Sequence, residues 1–151
     1  MKYEIVDRDI DNIKEIDDIR VKAFNLDYQG AFYLDNISSG KMIAVKAMLD
    51  GKIIGGCYVY ISPITYSLNI NRIFILDEYR HNNYASELLE YVLDNKSYFE
   101  DYYNIKVNRS IVEPYNDDLI EFYKKNGYSD PGIIGNMTKY LEDEINNNKR
   151  R

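Results

Sequence analysis

Ile73-Phe74-Ile75-Leu76, then Asp77-Glu78-Tyr79-Arg80-His81-Asn82-Asn83, then Tyr84-Ala85-Ser86-Glu87-Leu88-Leu89-Glu90-Tyr91-Val92-Leu93 form one uninterrupted stretch, and its reading decides the fold. The first part is short, apolar and rich in β-branched residues, which predicts a strand. The last part carries apolar residues at 85, 88, 89, 92 and 93, the stripe of an amphipathic helix. The polar turn in the middle holds one arginine and two asparagines. A strand that turns directly into a helix aims the helix's first backbone N–H groups, and the positive end of its dipole, at one spot. Such a spot suits a phosphate or another anion.

On the N-terminal side, Met42–Leu49 and Ile53–Ile61 read as two strands joined by Asp50-Gly51-Lys52. Asp-Gly between apolar runs is a strong hairpin signal. Gly55-Gly56 inside the second run predicts a bulge or a close backbone approach. Pro63 marks a turn, and Tyr66–Leu76 gives a third strand of an antiparallel meander that ends at the anion-favouring turn. Further back, Tyr3–Val6 reads as a first strand. A helix follows, with apolar residues at Ile10, Ile13, Ile16, Ile19, Val21, Ala23 and Phe24 and acidic residues in its first turn. Tyr28, Phe32, Tyr33 and Leu34 suggest a second, short helix that Ser38-Ser39-Gly40 ends.

On the C-terminal side the helix from Tyr84 breaks at Lys96-Ser97, and Ile105–Val112 reads as the next strand, stopped by Pro114. The run Asn116–Tyr128 carries concordant helix signals. Asn116 is an N-cap candidate, Asp117 and Asp118 suit the positive end, Lys124 and Lys125 the negative end, and Gly127 a left-handed close. Met137–Leu141 is read as the last strand, and residues 144–151 as a polar tail.

The spacing of two segments resembles the GNAT family of acetyl-CoA-dependent N-acetyltransferases. Arg80-x-x-Asn83-x-Ala85 is similar to that family's R/Q-x-x-G-x-G/A pyrophosphate loop, with asparagine at the middle glycine, and Asp77-Glu78-Tyr79-Arg80 is similar to its common PEYR. Asparagine enters the left-handed region more easily than other non-glycine residues. Asn116, Leu119, Phe122, Tyr123, Gly127 and Tyr128 resemble the family's N-x-x-A-x-x-F/L-Y-x-x-x-G-F/Y, with leucine for alanine. The two half-motifs stand in the family's order and at its usual separation, and the resemblance spans residues 42 to 141.

The resemblance implies an α/β fold: a mixed, mainly antiparallel sheet of six or seven strands with about four helices, over residues 1–143 as one domain. It also implies acetyl transfer from acetyl-CoA to a primary amine by direct attack in a ternary complex, without an acetyl-enzyme intermediate. Cofactor contacts are implied for Ile73, Phe74 and Ile75, for Arg80, His81, Asn82, Asn83, Tyr84, Ala85 and Ser86, and for Asn116 and Tyr123. In that frame Tyr123 is the general acid that protonates the leaving thiolate. The chain has 16 tyrosines, so only the frame singles this one out. The fourth strand offers Asn69, Asn71 and Arg72 where some family members carry a glutamate base, which leaves Glu113 as the best-placed carboxylate, with a water chain or an acceptor that arrives already deprotonated as other routes. Acceptors in the family are amine-bearing small molecules, protein N-termini and lysines. A second hypothesis, motivated by Asn83, is a GNAT-fold CoA-binding or regulatory module with little or no transferase activity. The G-x-x-x-x-G-K-[ST] loop of nucleotide-binding P-loop proteins is absent.

Composition sets the outer bounds. A chain of 151 residues buries about two-thirds of its unfolded surface when it folds. With 45% apolar and 29% charged residues it falls in the globular class, not the disordered one. A net charge of −6 argues against nucleic acid and anionic membranes as partners. A single cysteine, Cys57, excludes an internal disulfide, and with one histidine it makes a His/Cys metal cluster implausible. Cys57 lies in an apolar strand and reads as a packing residue. Met1-Lys2-Tyr3-Glu4 lacks a signal-type apolar region, so the expected location is cytoplasmic. A homodimer is compatible with all of this.

Overall fold

The structure, a computed structural model, describes residues 1–6, 8–26 and 31–141. The expected tail at 144–151 and Tyr28 fall outside them. Six strands, β1 (Lys2–Ile5), β2 (Ile43–Leu49), β3 (Lys52–Ser62), β4 (Ser67–Ile75), β5 (Arg109–Val112) and β6 (Met137–Tyr140), form one sheet in the order β1-β2-β3-β4-β5-β6. The helices are α1 (Ile10–Ala23), α2 (Phe32–Ser38), α3 (Tyr84–Asp94), α4 (Lys96–Tyr103) and α5 (Asp117–Lys125), with a 3₁₀ turn at Asp77–Tyr79. β1–β2, β2–β3 and β5–β6 are antiparallel, while β4–β5 is parallel. A parallel pair needs a long crossover, which α3 and α4 provide. This is the mixed, mostly antiparallel α/β sheet expected from the sequence, with five helices in place of four. No helix among the described residues is long and apolar enough to cross a membrane.

The described residues divide into two compact units: those within 1–60 and 71–95, and those within 61–70 and 96–141. In the first, Asp9 caps α1 by accepting the Asp11 N–H at 2.9 Å. The apolar stripe of α1 buries Ile13 and Ile16 against Tyr33 and Ile37 of α2, Ala44 of β2, Tyr58 of β3 and Phe74 of β4. Strand alternation turns Ala47 to the opposite face of β2 from Ala44. There Ala47, Ile54 and Ile75 pack with Tyr79, Tyr84 and Ala85, which seats the start of α3 on the sheet.

The Asp50-Gly51 hairpin forms as expected, with both residues at positive φ (50° and 79°), the backbone that a tight two-residue turn requires. The glycine pair also behaves as the sequence indicates. The register shifts between Ala47 and Met48, leaving Ile54 as the extra residue of a β3 bulge. A Cβ on Gly55 would stand 2.3 Å from the Phe74 carbonyl oxygen, so only glycine lets these two backbones meet. Cys57 is fully buried on β3, and burial pushes its thiol well above the ordinary range, as suits a packing residue.

In the second unit the β4–β5 ladder pairs Ser67 with Arg109 through Ile70 with Val112, and Leu68, Phe99, Val107, Val112, Tyr123, Tyr128 and Met137 are buried. The helix from Tyr84 breaks at Asn95, where α3 is capped, and Lys96-Ser97 opens a further helix, α4, that the sequence did not announce. The strand expected over Ile105–Val112 needs correction, since it is only Arg109–Val112. Helix α4 forms because Phe99 is fully buried and Glu100, 5% exposed, accepts the Val107 N–H at 2.8 Å while facing Lys96 at 3.8 Å. These tertiary contacts override the weak helix propensity of a tyrosine-rich octamer.

Candidate active site

The turn after β4 is built from side-chain-to-backbone bonds. The 3₁₀ turn closes with the Arg80 N–H donating to the Asp77 carbonyl at 3.2 Å. The Asn82 side-chain amide then donates to the Tyr79 and Arg80 carbonyls, each at 3.1 Å. His81 and Asn83 both take φ of 66°, so the backbone twists twice through the left-handed region before the helix begins. Asn83 is the N-cap of α3, with φ 66° and ψ 12° and no side-chain cap bond. It holds the conformation that glycine would hold, at the position where the family pattern has glycine. The α3 ladder starts with the Glu87 N–H donating to the Asn83 carbonyl at 3.1 Å. The Tyr84 and Ala85 amides therefore precede the ladder, at the positive end of an eleven-residue helix. His81, Asn82 and Asn83 are exposed, and Tyr84, Ala85 and Ser86 are half-buried.

Arg80 lies differently from a solvated cation. Its Nε donates to the Ile75 carbonyl and its Nη2 to the Ala23 carbonyl, both at 2.9 Å, and its Nη1 stands 2.6 Å from Asp77 Oδ1. Ile73, Phe74 and Ile75, on the strand feeding the turn, are all buried, so their side chains face the core. The β4–β5 ladder is registered over Ser67–Ile70, and Asn71–Ile75 lie past its end.

The second unit holds the other three sequence-predicted residues. Glu113 is exposed and follows β5 directly. Asn116 caps α5, its Oδ1 accepting the Leu119 N–H at 2.9 Å. Asn116→Ala is expected to lower stability by about 1 kcal/mol, the ordinary worth of an N-cap, measurable by chemical denaturation. Tyr123 is 3% exposed, its ring 5.1 Å from that of Phe122 and 5.2 Å from that of Tyr128. Tyr128 is fixed in turn by a 2.7 Å hydrogen bond between its hydroxyl and that of the fully buried Ser110. Gly127, at φ 92°, closes α5, with the Tyr128 N–H donating to the Tyr123 carbonyl and the Gly127 N–H to that of Lys124.

The family model for an acetyltransferase (GNAT) domain matches residues 40–130, more than half of the chain and both segments just described. The chain belongs to the GNAT family. Solved structures agree on the fold. The aminoglycoside 6'-acetyltransferase type Ii is 17% identical with a TM-score of 0.70, over 95% of this chain and 99% of that one. The Escherichia coli ribosomal-protein-S18-alanine N-acetyltransferase is 13% identical with a TM-score of 0.69, over 94% and 96%. The Thermoplasma acidophilum PaiA N-acetyltransferase, in complex with coenzyme A, is 16% identical with a TM-score of 0.65, over 93% and 100%. No protein of curated function matches by sequence.

One polar cluster of this GNAT chain was missed in the sequence. In the first unit Asp17, 0% exposed, takes two bonds from Arg20, Nε to Oδ1 at 2.7 Å and Nη2 to Oδ2 at 3.3 Å, and a third from the Tyr58 hydroxyl at 2.5 Å. The Arg20 guanidinium lies 4.5 Å from the Tyr33 ring centre, and the Tyr33 hydroxyl donates to Asn71 Oδ1 at 2.8 Å. Burial, reinforced by the Asp17 carboxylate, raises the Tyr58 hydroxyl far above its ordinary pKa, so it stays a donor. The signal was present in α1. Asp17 and Arg20 occupy positions on the same stripe as Ile13 and Ile16, where a charge has to be paired inside the fold.

Proposed function

We propose that this GNAT-family acetyltransferase moves the acetyl group of acetyl-CoA to a primary amine of a small molecule or protein, by direct attack in a ternary complex. The observation that carries the reading is Asn83, held in the left-handed conformation at the start of α3, immediately after a turn whose other asparagine is spent on holding backbone carbonyls. A loop so shaped fits a pyrophosphate, because the main-chain amides at the α3 N-terminus offer donors and a positive dipole end.

When bound, acetyl-CoA supplies the thioester. The chain supplies the rest. The amides of residues 82–85 hold the pyrophosphate, and the main chain of Ile73 and Ile75, past the β4–β5 ladder, pairs with the pantetheine arm as an added strand would. The amine nitrogen forms its bond to the acetyl carbon, the carbon–sulfur bond breaks, and the Tyr123 hydroxyl gives its proton to the leaving thiolate. Glu113, or water next to it, takes the proton lost by the amine. The acidic chain favours approach of a cationic acceptor.

Thermal-shift titration with acetyl-CoA tests the donor half. Ligand at 100 times its dissociation constant is expected to add about 2.7 kcal/mol of stability. No rise at millimolar ligand would remove the reading. A rise without CoA release across a panel of amines would favour a CoA-binding module instead, whereas crowding of the cofactor by the Asn83 side chain would show as weak or absent binding.

A further inference from the structure

We propose that Arg80 is a positioning residue, whose guanidinium fastens the anion-binding loop to the end of β4 and to the C-terminus of α1, and does not itself touch the pyrophosphate. The inference rests on the acetyl-CoA reading above and concerns how the loop gets its shape.

The α1 terminus shows why an arginine is wanted there. Phe24 is the C-cap and Asn25 takes φ of 53°. The Leu26 N–H donates to the Val21 carbonyl at 3.0 Å, and the Asn25 N–H to the Lys22 carbonyl at 3.1 Å. Those two reciprocal bonds are the Schellman close of a helix, and they leave the next carbonyl, that of Ala23, outside the motif. Arg80 Nη2 donates to it at 2.9 Å, from 57 residues away. A cation at this end also meets the negative pole of a fourteen-residue helix. Meanwhile Nε donates to Ile75, the last residue of β4. One planar fork thus satisfies a helix end and a strand end together, a geometry that the point charge of lysine does not reproduce.

The third leg sets the electrostatics. Asp77, 82% exposed, stands 2.6 Å from Nη1 and cancels much of the field that a nearby anion would feel from Arg80. An exposed pair of this kind adds little stability. The weight falls on the two carbonyl bonds, and hence on hydrogen-bond donation and shape, with net charge secondary.

The test compares Arg80→Gln, Arg80→Lys and Arg80→Ala. Acetyl-CoA affinity is measured by calorimetry at low and high salt, and amide hydrogen exchange is followed in the ligand-free proteins. Arg80→Ala is expected to weaken binding by at least about tenfold, the worth of a charge-assisted hydrogen bond. The loss should be equal at both salt concentrations, because screening acts on exposed charges and not on loop shape. Glutamine, a neutral donor that still reaches a carbonyl, should recover more affinity than lysine. In Arg80→Ala the amides of 24–26 and of 81–85 should both exchange faster. Wild-type affinity in Arg80→Lys with none recovered in Arg80→Gln would mean a direct charge contact and overturn the proposal. So would faster exchange confined to 81–85. If the wild-type protein does not bind acetyl-CoA, the functional reading falls, and the exchange comparison alone still decides the clamp.

Discussion

Arg20→Ala is expected to cost about 3–5 kcal/mol of folding stability, the usual price of removing one member of a buried ion pair. Asp17 has no exposure and Arg20 only 6%, so the remaining carboxylate could not be rescued by water. The Tyr58 hydroxyl would still donate to Asp17, but a neutral donor does not replace the guanidinium beside a buried negative charge. The Tyr33 ring would also lose the guanidinium it faces. Against a typical domain stability of about 5–15 kcal/mol, such a variant sits near the edge of folding. Urea denaturation of wild type, Arg20→Ala, Asp17→Leu and the double variant Asp17→Leu/Arg20→Met separates the contributions. The apolar double variant should be more stable than Arg20→Ala, because it leaves no buried charge and strands only the neutral Tyr58 hydroxyl. A loss below about 1 kcal/mol in Arg20→Ala would mean that Asp17 finds solvent or another partner on its own.

The buried pair also marks the boundary of what the sequence made legible. Local chemistry was readable. Asp50-Gly51 announces a turn because only a few residues accept two positive φ values in succession. Asn116 and Gly127 announce the two ends of α5 because an N-cap and a left-handed close depend on single residue types, and Asn83 could be expected to enter the left-handed region for the same reason. Contacts between distant segments were not readable. Nothing near Arg80 shows that its guanidinium meets the Ala23 carbonyl, and nothing near Lys96 shows that Glu100 is held by the Val107 N–H and turns a tyrosine-rich stretch into α4. Asp17 and Arg20 were legible in principle, since charged residues on an apolar stripe demand a partner, but Tyr58 could be assigned to them only once the sheet had formed. What the site residues do depends on a ligand, so their roles rest on family membership and on the experiments named for them.

The largest expected effect on chemistry belongs to Tyr123→Phe. The substitution keeps the ring that packs beside Phe122 and Tyr128 and removes one oxygen, so the fold and the acetyl-CoA dissociation constant should change little. General acid catalysis contributes about 10²–10⁴-fold to a rate, and turnover is expected to fall by about 10²-fold or more. The Tyr128–Ser110 bond, 2.7 Å long and untouched by the substitution, keeps the neighbouring ring in place, which makes a packing explanation for lost turnover weak. A second measurement isolates the proton. An acetyl thioester whose thiol is much more acidic than that of CoA leaves without protonation, so Tyr123→Phe should be impaired far less with that donor than with acetyl-CoA. Equal impairment with both donors would point to misplacement of the substrates, and unchanged turnover with acetyl-CoA would take the acid role from Tyr123 altogether. Tyr128→Phe is the matched control. It strands the Ser110 hydroxyl in the core, so it should lower stability by about 1–3 kcal/mol while leaving the dependence of rate on the leaving thiol as it is in the wild type.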